Sequence, residues 1–169
     1  MPTFTENSDY YTDWGTRTPF TTVHLGHGEC SAGVYDMIEV EMEAIQLNQQ
    51  KASALKTGDE LQATLWDIVY SAANMLLITR GVDPGTEDEV FGEYFNHFFD
   101  TNLISESYKG IVIAAQGKNL TLLEQQKERV YELGDIMIQL YHKMDNSMRF
   151  PGEHESNSAA AAENLAAVP

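Results

Sequence analysis

Three residues near the N-terminus have the spacing of metal ligands. Two residues separate His24 from His27, and two more separate His27 from Cys30. Imidazole nitrogen and thiolate sulfur are ligands that zinc prefers, but a structural zinc site is four-coordinate. No second His or Cys pair lies nearby in the sequence to complete it. These three residues are candidate ligands only, and we expect the chain to hold no metal and no cofactor.

Cys30 also stands at a chemically distinct position. It follows Gly28 and Glu29 and precedes the start of a predicted helix. Unpaired backbone N–H groups and the dipole at a helix N-terminus stabilise a thiolate, and the same groups can hold an anion. The alternative is that the glycines shape a tight turn and that Cys30 is a small buried side chain. The sequence leaves both interpretations open.

The elements that would position these residues are helices. Apolar residues recur every three or four positions in five segments that we expect to be helical: 31–56, 59–80, 87–99, 105–116 and 120–148. No alternation of apolar and polar residues persists long enough to build a sheet. The pattern predicts an all-α fold, an up-and-down helical bundle.

Local signals mark the ends of these helices. Gly81 follows the last periodic residue of the second segment, where a left-handed C-cap is usual. Thr86 stands three residues before Glu89, and Thr121 stands three residues before Glu124. This is the capping-box spacing, in which each side chain satisfies a free backbone donor of the other residue. We therefore expect helix starts at both threonines.

The bundle is expected to occupy residues 31–149. Residues 1–30 read as an irregular segment with several aromatic side chains, Trp14 among them. Such rings either dock back onto the bundle or meet another protein, since Trp and Tyr are enriched at interface centres. Residues 150–169 offer no large apolar face and are expected to be a disordered tail.

The charge balance narrows the classes of partner. Ten Lys and Arg residues face 26 Asp and Glu residues, which gives a net charge of −16. Such a surface repels phosphate backbones, so no nucleic-acid partner is expected. No apolar run is long enough to cross a bilayer, and the polar N-terminus does not resemble a secretory signal. With one cysteine, no internal disulfide can form, and a cytoplasmic location is expected.

Part of the predicted bundle resembles a known superfamily. A helix of small and apolar residues begins near Ile68 and ends in Gly81-Val-Asp-Pro84, and Asn96-His97-Phe98 follows. This resembles the HEPN superfamily, in which such a helix ends in a Gly-x-Asp/Glu-Pro turn and a short helix then carries His-Phe near its end. The resemblance implies a HEPN-like helical bundle.

The N-terminal segment carries a second resemblance. Tyr11-Thr-Asp-Trp14-Gly15, Phe20-Thr21 and Leu25-Gly-His-Gly-Glu-Cys30 are similar to the opening of a C-terminal extension found on some bacterial sirohaem nitrite and sulfite reductases. In those proteins a Trp-Gly and a Gly-x-Gly-Glu-Cys segment lead into a HEPN-like bundle. Together the two resemblances cover about residues 10–149.

The resemblance implies association with a reductase and not reductase activity. A sirohaem reductase binds its iron–sulfur cluster through four cysteines, and this chain has one. The implied protein is a free-standing extension without the catalytic domains: a non-catalytic accessory module in sulfur or nitrogen assimilation. Its implied partner is a sirohaem sulfite or nitrite reductase or a related assimilation protein, with a homodimer also open. The residues implied in function are Trp14, Gly28, Glu29 and Cys30.

The superfamily also suggests an alternative function. Many HEPN proteins are ribonucleases, some of them toxin components, that use an Arg followed after four to six residues by a His. That spacing occurs here at Arg17 to His24 and at Arg149 to His154. Both pairs fall in predicted loop or tail, and the acidic surface opposes RNA binding. The interaction module is therefore the favoured interpretation.

Overall fold

A computed structural model describes residues 31–153, and the chain divides after Val40 into two units. Of the first unit, the described part is the beginning of helix α1, Ser31–Ala54. The second unit is described from Glu41 to Glu153. All regular structure in these residues is helical, so the predicted all-α class is confirmed. The irregular segment 1–30 and residues 154–169 of the predicted tail lie outside the described part.

Five α-helices follow α1 within the described chain: α2 (Asp59–Asn74), α3 (Glu87–Tyr94), α4 (Lys109–Gln116), α5 (Leu120–Gln125) and α6 (Lys127–Lys143). Shorter helical turns join or extend them: a 3₁₀ turn at Leu77–Arg80, a π-helical turn at Phe95–Phe99 and a 3₁₀ turn at Glu106–Tyr108. No helix among residues 31–153 combines the length and the apolar character needed to cross a bilayer.

Helix α2 lies at the centre of the second unit and packs against α3, α4, α5 and α6. Its buried side follows the helical period, so that residues three and four apart form one continuous apolar face. The buried apolar residues of this face are Leu61, Leu65, Ile68, Val69, Ala72 and Ala73. Burying each large aliphatic side chain stabilises the fold by about 1.5–3 kcal/mol relative to full exposure.

Helices α1 and α6 approach closely at Gly134. An added Cβ at this position would lie 2.9 Å from Ile45 Cγ2 and 3.2 Å from Gln49 Nε2. The Gln49 amide is itself held across the interface, where it donates to the Tyr131 carbonyl at 3.1 Å and to Asp135 Oδ1 at 3.0 Å. Glycine at 134 therefore sets the distance between the two helices.

The last predicted helix is in fact two helices. The helix is interrupted at Gln126, between α5 and α6, whereas the sequence predicted one helix over 120–148. The predicted cap at Thr121 is also wrong: Asn119 is the N-cap, and its side chain accepts a hydrogen bond from the Leu122 N–H. Glu124 instead accepts from Gln62 on α2 at 2.7 Å, which ties α5 to the central helix.

The other predicted helix ends are confirmed, with changes of detail. Thr86 caps α3 by accepting from the Glu89 N–H, and the Glu89 carboxylate accepts from the Gly85 N–H at 2.7 Å. Gly81 adopts the left-handed conformation expected of a C-cap, with φ 74°. It closes a 3₁₀ turn and not α2 itself, which already ends at Asn74.

The ordered bundle extends beyond the predicted boundary at residue 149. Phe150 is fully buried, and its ring lies 5.9 Å from that of Phe98. Its backbone N–H donates to Glu153 Oε2 at 2.6 Å. The sequence prediction missed Phe150 because the residues around it show no helical periodicity. Residues 150–153 therefore belong to the bundle and not to the tail.

Tyr94 places a polar atom without a partner in the aromatic core. Tyr94 is fully buried against Phe98 and Phe99, and its hydroxyl has no hydrogen-bond partner. Burial raises the pKa of the Tyr94 phenol well above its ordinary value. A buried hydroxyl without a partner costs about 1–3 kcal/mol of desolvation.

We expect Gly134→Ala to lower the free energy of unfolding by about 1–3 kcal/mol, because the methyl group overpacks against the branched Ile45 side chain. The matched control is Gly92→Ala on α3, where nothing lies within 4 Å of an added Cβ. That control should be neutral or stabilising by up to about 1 kcal/mol through helix propensity. Urea unfolding of both variants is the measurement. Equal effects would contradict the close approach of α1 and α6.

We expect Tyr94→Phe to stabilise the protein by about 1 kcal/mol at neutral pH, since it removes a buried hydroxyl that makes no bond. The raised pKa of Tyr94 adds a pH dependence. Well below pH about 10 the phenol is neutral in both states, but as pH rises towards the higher folded pKa the unfolded chain ionises first and stability is lost. Urea unfolding should therefore show a smaller alkaline loss of stability in Tyr94→Phe.

Tyr108→Phe is the control for this experiment. The Tyr108 hydroxyl is bonded to Glu132 Oε2 at 3.1 Å in an exposed position, so its removal should change stability by less than about 1 kcal/mol. A clear loss of stability in Tyr94→Phe at neutral pH would mean that the buried hydroxyl does have a partner.

Candidate interaction surface

Two aromatic side chains stand on α2 outside its fully buried face. Trp66 and Tyr70 lie one helical turn apart and are half-buried. Their rings stack with 5.1 Å between centroids and 14° between planes. Phe91 of α3 is buried and meets both rings edge-on, at 6.3 Å and 6.1 Å. We call Trp66 and Tyr70 the aromatic platform.

A hydrogen bond fixes the platform in place. The Trp66 indole N–H donates to the carbonyl of Ala115 at 2.8 Å. Ala115 belongs to the last turn of α4, and its carbonyl also accepts from the Lys118 backbone N–H at 3.1 Å. The bond from Trp66 to this carbonyl sets the orientation of the indole ring.

Lys118 places a positive charge on this platform. Its Nζ lies 3.4 Å from the centroid of the Trp66 ring and 3.0 Å from Glu87 Oε2. The side chains of Lys118 and Glu87 are 53% and 56% exposed, so both contacts are reached by water. At such exposure a cation–π contact contributes about 0.5–1 kcal/mol, and an ion pair about as much or less.

Carboxylates surround the platform. Glu41 accepts a hydrogen bond from the Asn74 amide, one turn beyond Tyr70 on α2. Burial raises the pKa of Tyr70, and the negative charges of Glu41 and Glu87 raise it further. The platform, with Glu41, Asp67 and Glu87 around it, is therefore an aromatic surface in an acidic setting.

Asp67 is part of the same electrostatic environment. Partial desolvation raises the pKa of its carboxyl above the ordinary value, while the nearby positive charges of Lys51 and Lys118 act in the opposite direction. Lys51 is itself paired with Glu60 at 3.3 Å. The positive charge of Lys118 therefore interacts with both Glu87 and Asp67.

The site residues singled out from sequence fall in the part of the chain that the structure does not describe. Trp14, His24, His27, Gly28, Glu29 and Cys30 all lie outside the described residues, so their predicted roles stay predictions. Within residues 31–153, no group of three or more His, Cys, Asp or Glu side chains is placed to hold a metal ion.

The predicted ribonuclease residues are described only in part. Arg149 is exposed, and its Nε lies 3.4 Å from Asp145 Oδ2. Arg17, His24 and His154 lie outside the described residues. The Arg–His pairing is therefore not tested.

Arg80 forms a second polar cluster, at the end of the 3₁₀ turn Leu77–Arg80. Its guanidinium donates to Glu153 Oε1 at 2.6 Å, to the Met148 carbonyl and to Thr79 Oγ1 at 3.2 Å. Its Cζ atom also lies 4.4 Å from the centroid of the Phe150 ring. Each nitrogen of the guanidinium makes one of these bonds, so the cluster ties the C-terminal segment to the rest of the bundle.

The motif residue His97 lies in the π-helical turn after α3. Its Nε2 is 3.3 Å from Glu93 Oε2, one turn earlier. The wider π turn lets the neighbouring Phe98 and Phe99 both enter the core, which an α-helix would place about 100° apart. The geometry accounts for the aromatic packing without a chemical role for His97.

A cavity of about 400 Å³ lies beside the C-terminal segment, lined by Thr101, Asn102, Leu103, Pro151, Gly152 and Glu153. Among these described residues, Glu153 carries the charge, and it is already bonded to Arg80 and Phe150. The aromatic platform is therefore the stronger candidate for a functional surface.

The sequence contained a signal for this surface that the helical pattern alone did not use. Trp66 and Tyr70 are large aromatic residues one turn apart and off the apolar stripe of their helix.

No family model matches the chain, and no curated protein or solved structure matches it.

We expect Arg80→Lys to lower the free energy of unfolding by about 1.5–3 kcal/mol, although it keeps the charge. A single ammonium cannot bond Glu153 and the Met148 carbonyl and also keep its charge over the Phe150 ring. Amide hydrogen exchange should rise in residues 148–153. Arg149→Lys is the control, since its ion pair is exposed and its loss should cost less than about 1 kcal/mol. Equal effects of the two changes would refute the role of Arg80.

Proposed function

We propose that this chain is a non-catalytic protein-binding module that works in the cytoplasm beside a sirohaem sulfite or nitrite reductase or a related assimilation protein. The observation that carries the binding role is the half-buried Trp66–Tyr70 stack among carboxylates. Trp and Tyr are the residue types that most often dominate the binding energy at protein interfaces.

The identity of the partner rests on the N-terminal segment. The Trp14-Gly15 and Gly28-Glu29-Cys30 sequences resemble the extension carried by some sirohaem reductases. A protein that resembles such an extension is a natural companion for a reductase that lacks one. The sequence has one cysteine, so a four-cysteine cluster and the electron transfer through it would belong to the partner.

Charge supports a protein partner over a nucleic acid. A net charge of −16 repels phosphate backbones at long range and attracts a basic protein surface. Such attraction mainly raises the association rate and weakens as salt is added. The complex is therefore expected to be salt-sensitive.

The test is direct binding between this chain and a purified sirohaem reductase from the same cells, measured by calorimetry and size-exclusion chromatography. We expect a complex that weakens with added salt. Trp14→Ala should weaken it by about tenfold or more, because truncating an aromatic hot spot costs at least about 1–2 kcal/mol. Ile113→Ala, which truncates a 56% exposed residue of α4, is the control and should leave the affinity unchanged.

Two results would contradict the proposal. The first is the absence of a complex with either a sulfite or a nitrite reductase at micromolar concentrations. The second is cleavage of a generic RNA by the wild-type chain that is lost in Arg149→Ala. That second result would favour the HEPN ribonuclease alternative.

A further inference from the structure

Lys118 occupies a backbone conformation that ordinarily selects glycine. Its φ is 55°, in the left-handed region, directly after the C-terminal turn of α4. Glycine is the usual residue at such a helix end because it has no Cβ to clash. Here the preceding residue is the glycine, Gly117, and it has an ordinary φ of −80°. A lysine at the strained position directs its side chain to the platform.

The contact that Lys118 makes is on the surface and not in the core. Its Nζ lies 3.4 Å from the Trp66 ring centroid, yet half of the side chain is exposed to water. The indole ring itself is held independently by Phe91 and by the Ala115 carbonyl. Withdrawal of the lysine would therefore leave the ring in place with its face open.

The surroundings of the ring suit a cation better than any other group. Glu87 bonds the ammonium at 3.0 Å, and the charge of Asp67 is coupled to the same lysine. Glu41 adds a further carboxylate near Tyr70. An aromatic face with carboxylates beside it attracts guanidinium and ammonium groups through the ring quadrupole and through charge.

We propose that the face of Trp66 is a binding site for an arginine or lysine side chain of a basic protein segment, and that Lys118 fills this site in the absence of the partner. The incoming cation displaces Lys118 and takes over its contacts with Trp66 and Glu87. Lys118 is thus an internal competitor that every incoming cation has to displace. The inference rests on the proposed role in protein binding but not on the identity of the reductase.

The Lys109–Glu106 pair provides a control for the Lys118–Glu87 pair. Lys109 also pairs with a nearby carboxylate, Glu106 at 3.2 Å, and lies near an aromatic ring. Its Nζ, however, is 6.0 Å from the Phe95 centroid, at the limit of a cation–π contact. Lys109→Gln and Lys118→Gln change the net charge equally, so a difference between them reports the site and not the overall charge.

The experiment uses the full chain with Trp14→Phe, so that Trp66 is the remaining tryptophan and its fluorescence reports on the platform. The probe is a short peptide of alternating arginine and glycine, titrated at low ionic strength. A peptide of alternating glutamate and glycine is the negative control. We expect saturable perturbation of Trp66 by the arginine peptide and none by the glutamate peptide.

The variants decide whether Lys118 competes. Lys118→Gln should tighten arginine-peptide binding by at least about 3-fold more than Lys109→Gln does. The reason is that no lysine then has to leave the site before the peptide binds. Lys118→Gly, which suits the positive φ, should do the same if the glutamine variant folds poorly. Glu87→Gln should weaken binding about 3-fold or more, and Glu106→Gln should not.

The inference is overturned if the arginine peptide leaves Trp66 unperturbed in both Lys118 variants, or if Lys118→Gln has no more effect than Lys109→Gln. These outcomes are distinct from failure of the proposed function. A reductase complex that forms normally while the peptide does not bind would refute the cation site alone. Peptide binding without a reductase complex would refute the named partner alone.

Discussion

One whole face of helix α2 is buried, and the other helices take their positions by packing against it. Leu61, Leu65 and Ile68 recur at helical spacing, and the small residues Ala72 and Ala73 let other helices come close. Helices α3, α4, α5 and α6 each pack against it. Burial of apolar area is the dominant favourable term in folding. The buried face of α2 therefore determines where the neighbouring helices pack.

The same helix carries the candidate surface on residues that are not part of the fully buried face. Trp66 and Tyr70 are held by Phe91 from one neighbouring helix and by the Ala115 carbonyl from another. The core thus supplies rigidity to a surface that water still reaches. Rigid aromatic side chains lose little conformational entropy on binding, which suits them to recognition.

Short irregular turns account for two places where the sequence prediction was wrong. The periodicity of 120–148 fits one helix, but Asn119 caps a short α5 and the chain restarts at Lys127. The aromatic run after Thr86 fits a simple α-helix, but five residues from Phe95 form a π turn. Each irregularity is only a few residues long, so the pattern of apolar residues around it cannot distinguish the alternatives; tertiary packing does.

By itself the sequence determined the all-α class, the helical segments other than the break at Gln126, the caps at Gly81 and Thr86 and the strongly acidic surface. These depend on residue type and local spacing, which are written directly in the chain. The sequence also placed Trp66 and Tyr70 one turn apart. Only the tertiary structure decided that Lys118 and Glu87, from two other parts of the chain, meet at that ring. Contacts between residues distant in sequence depend on how whole helices pack, and no local pattern encodes that.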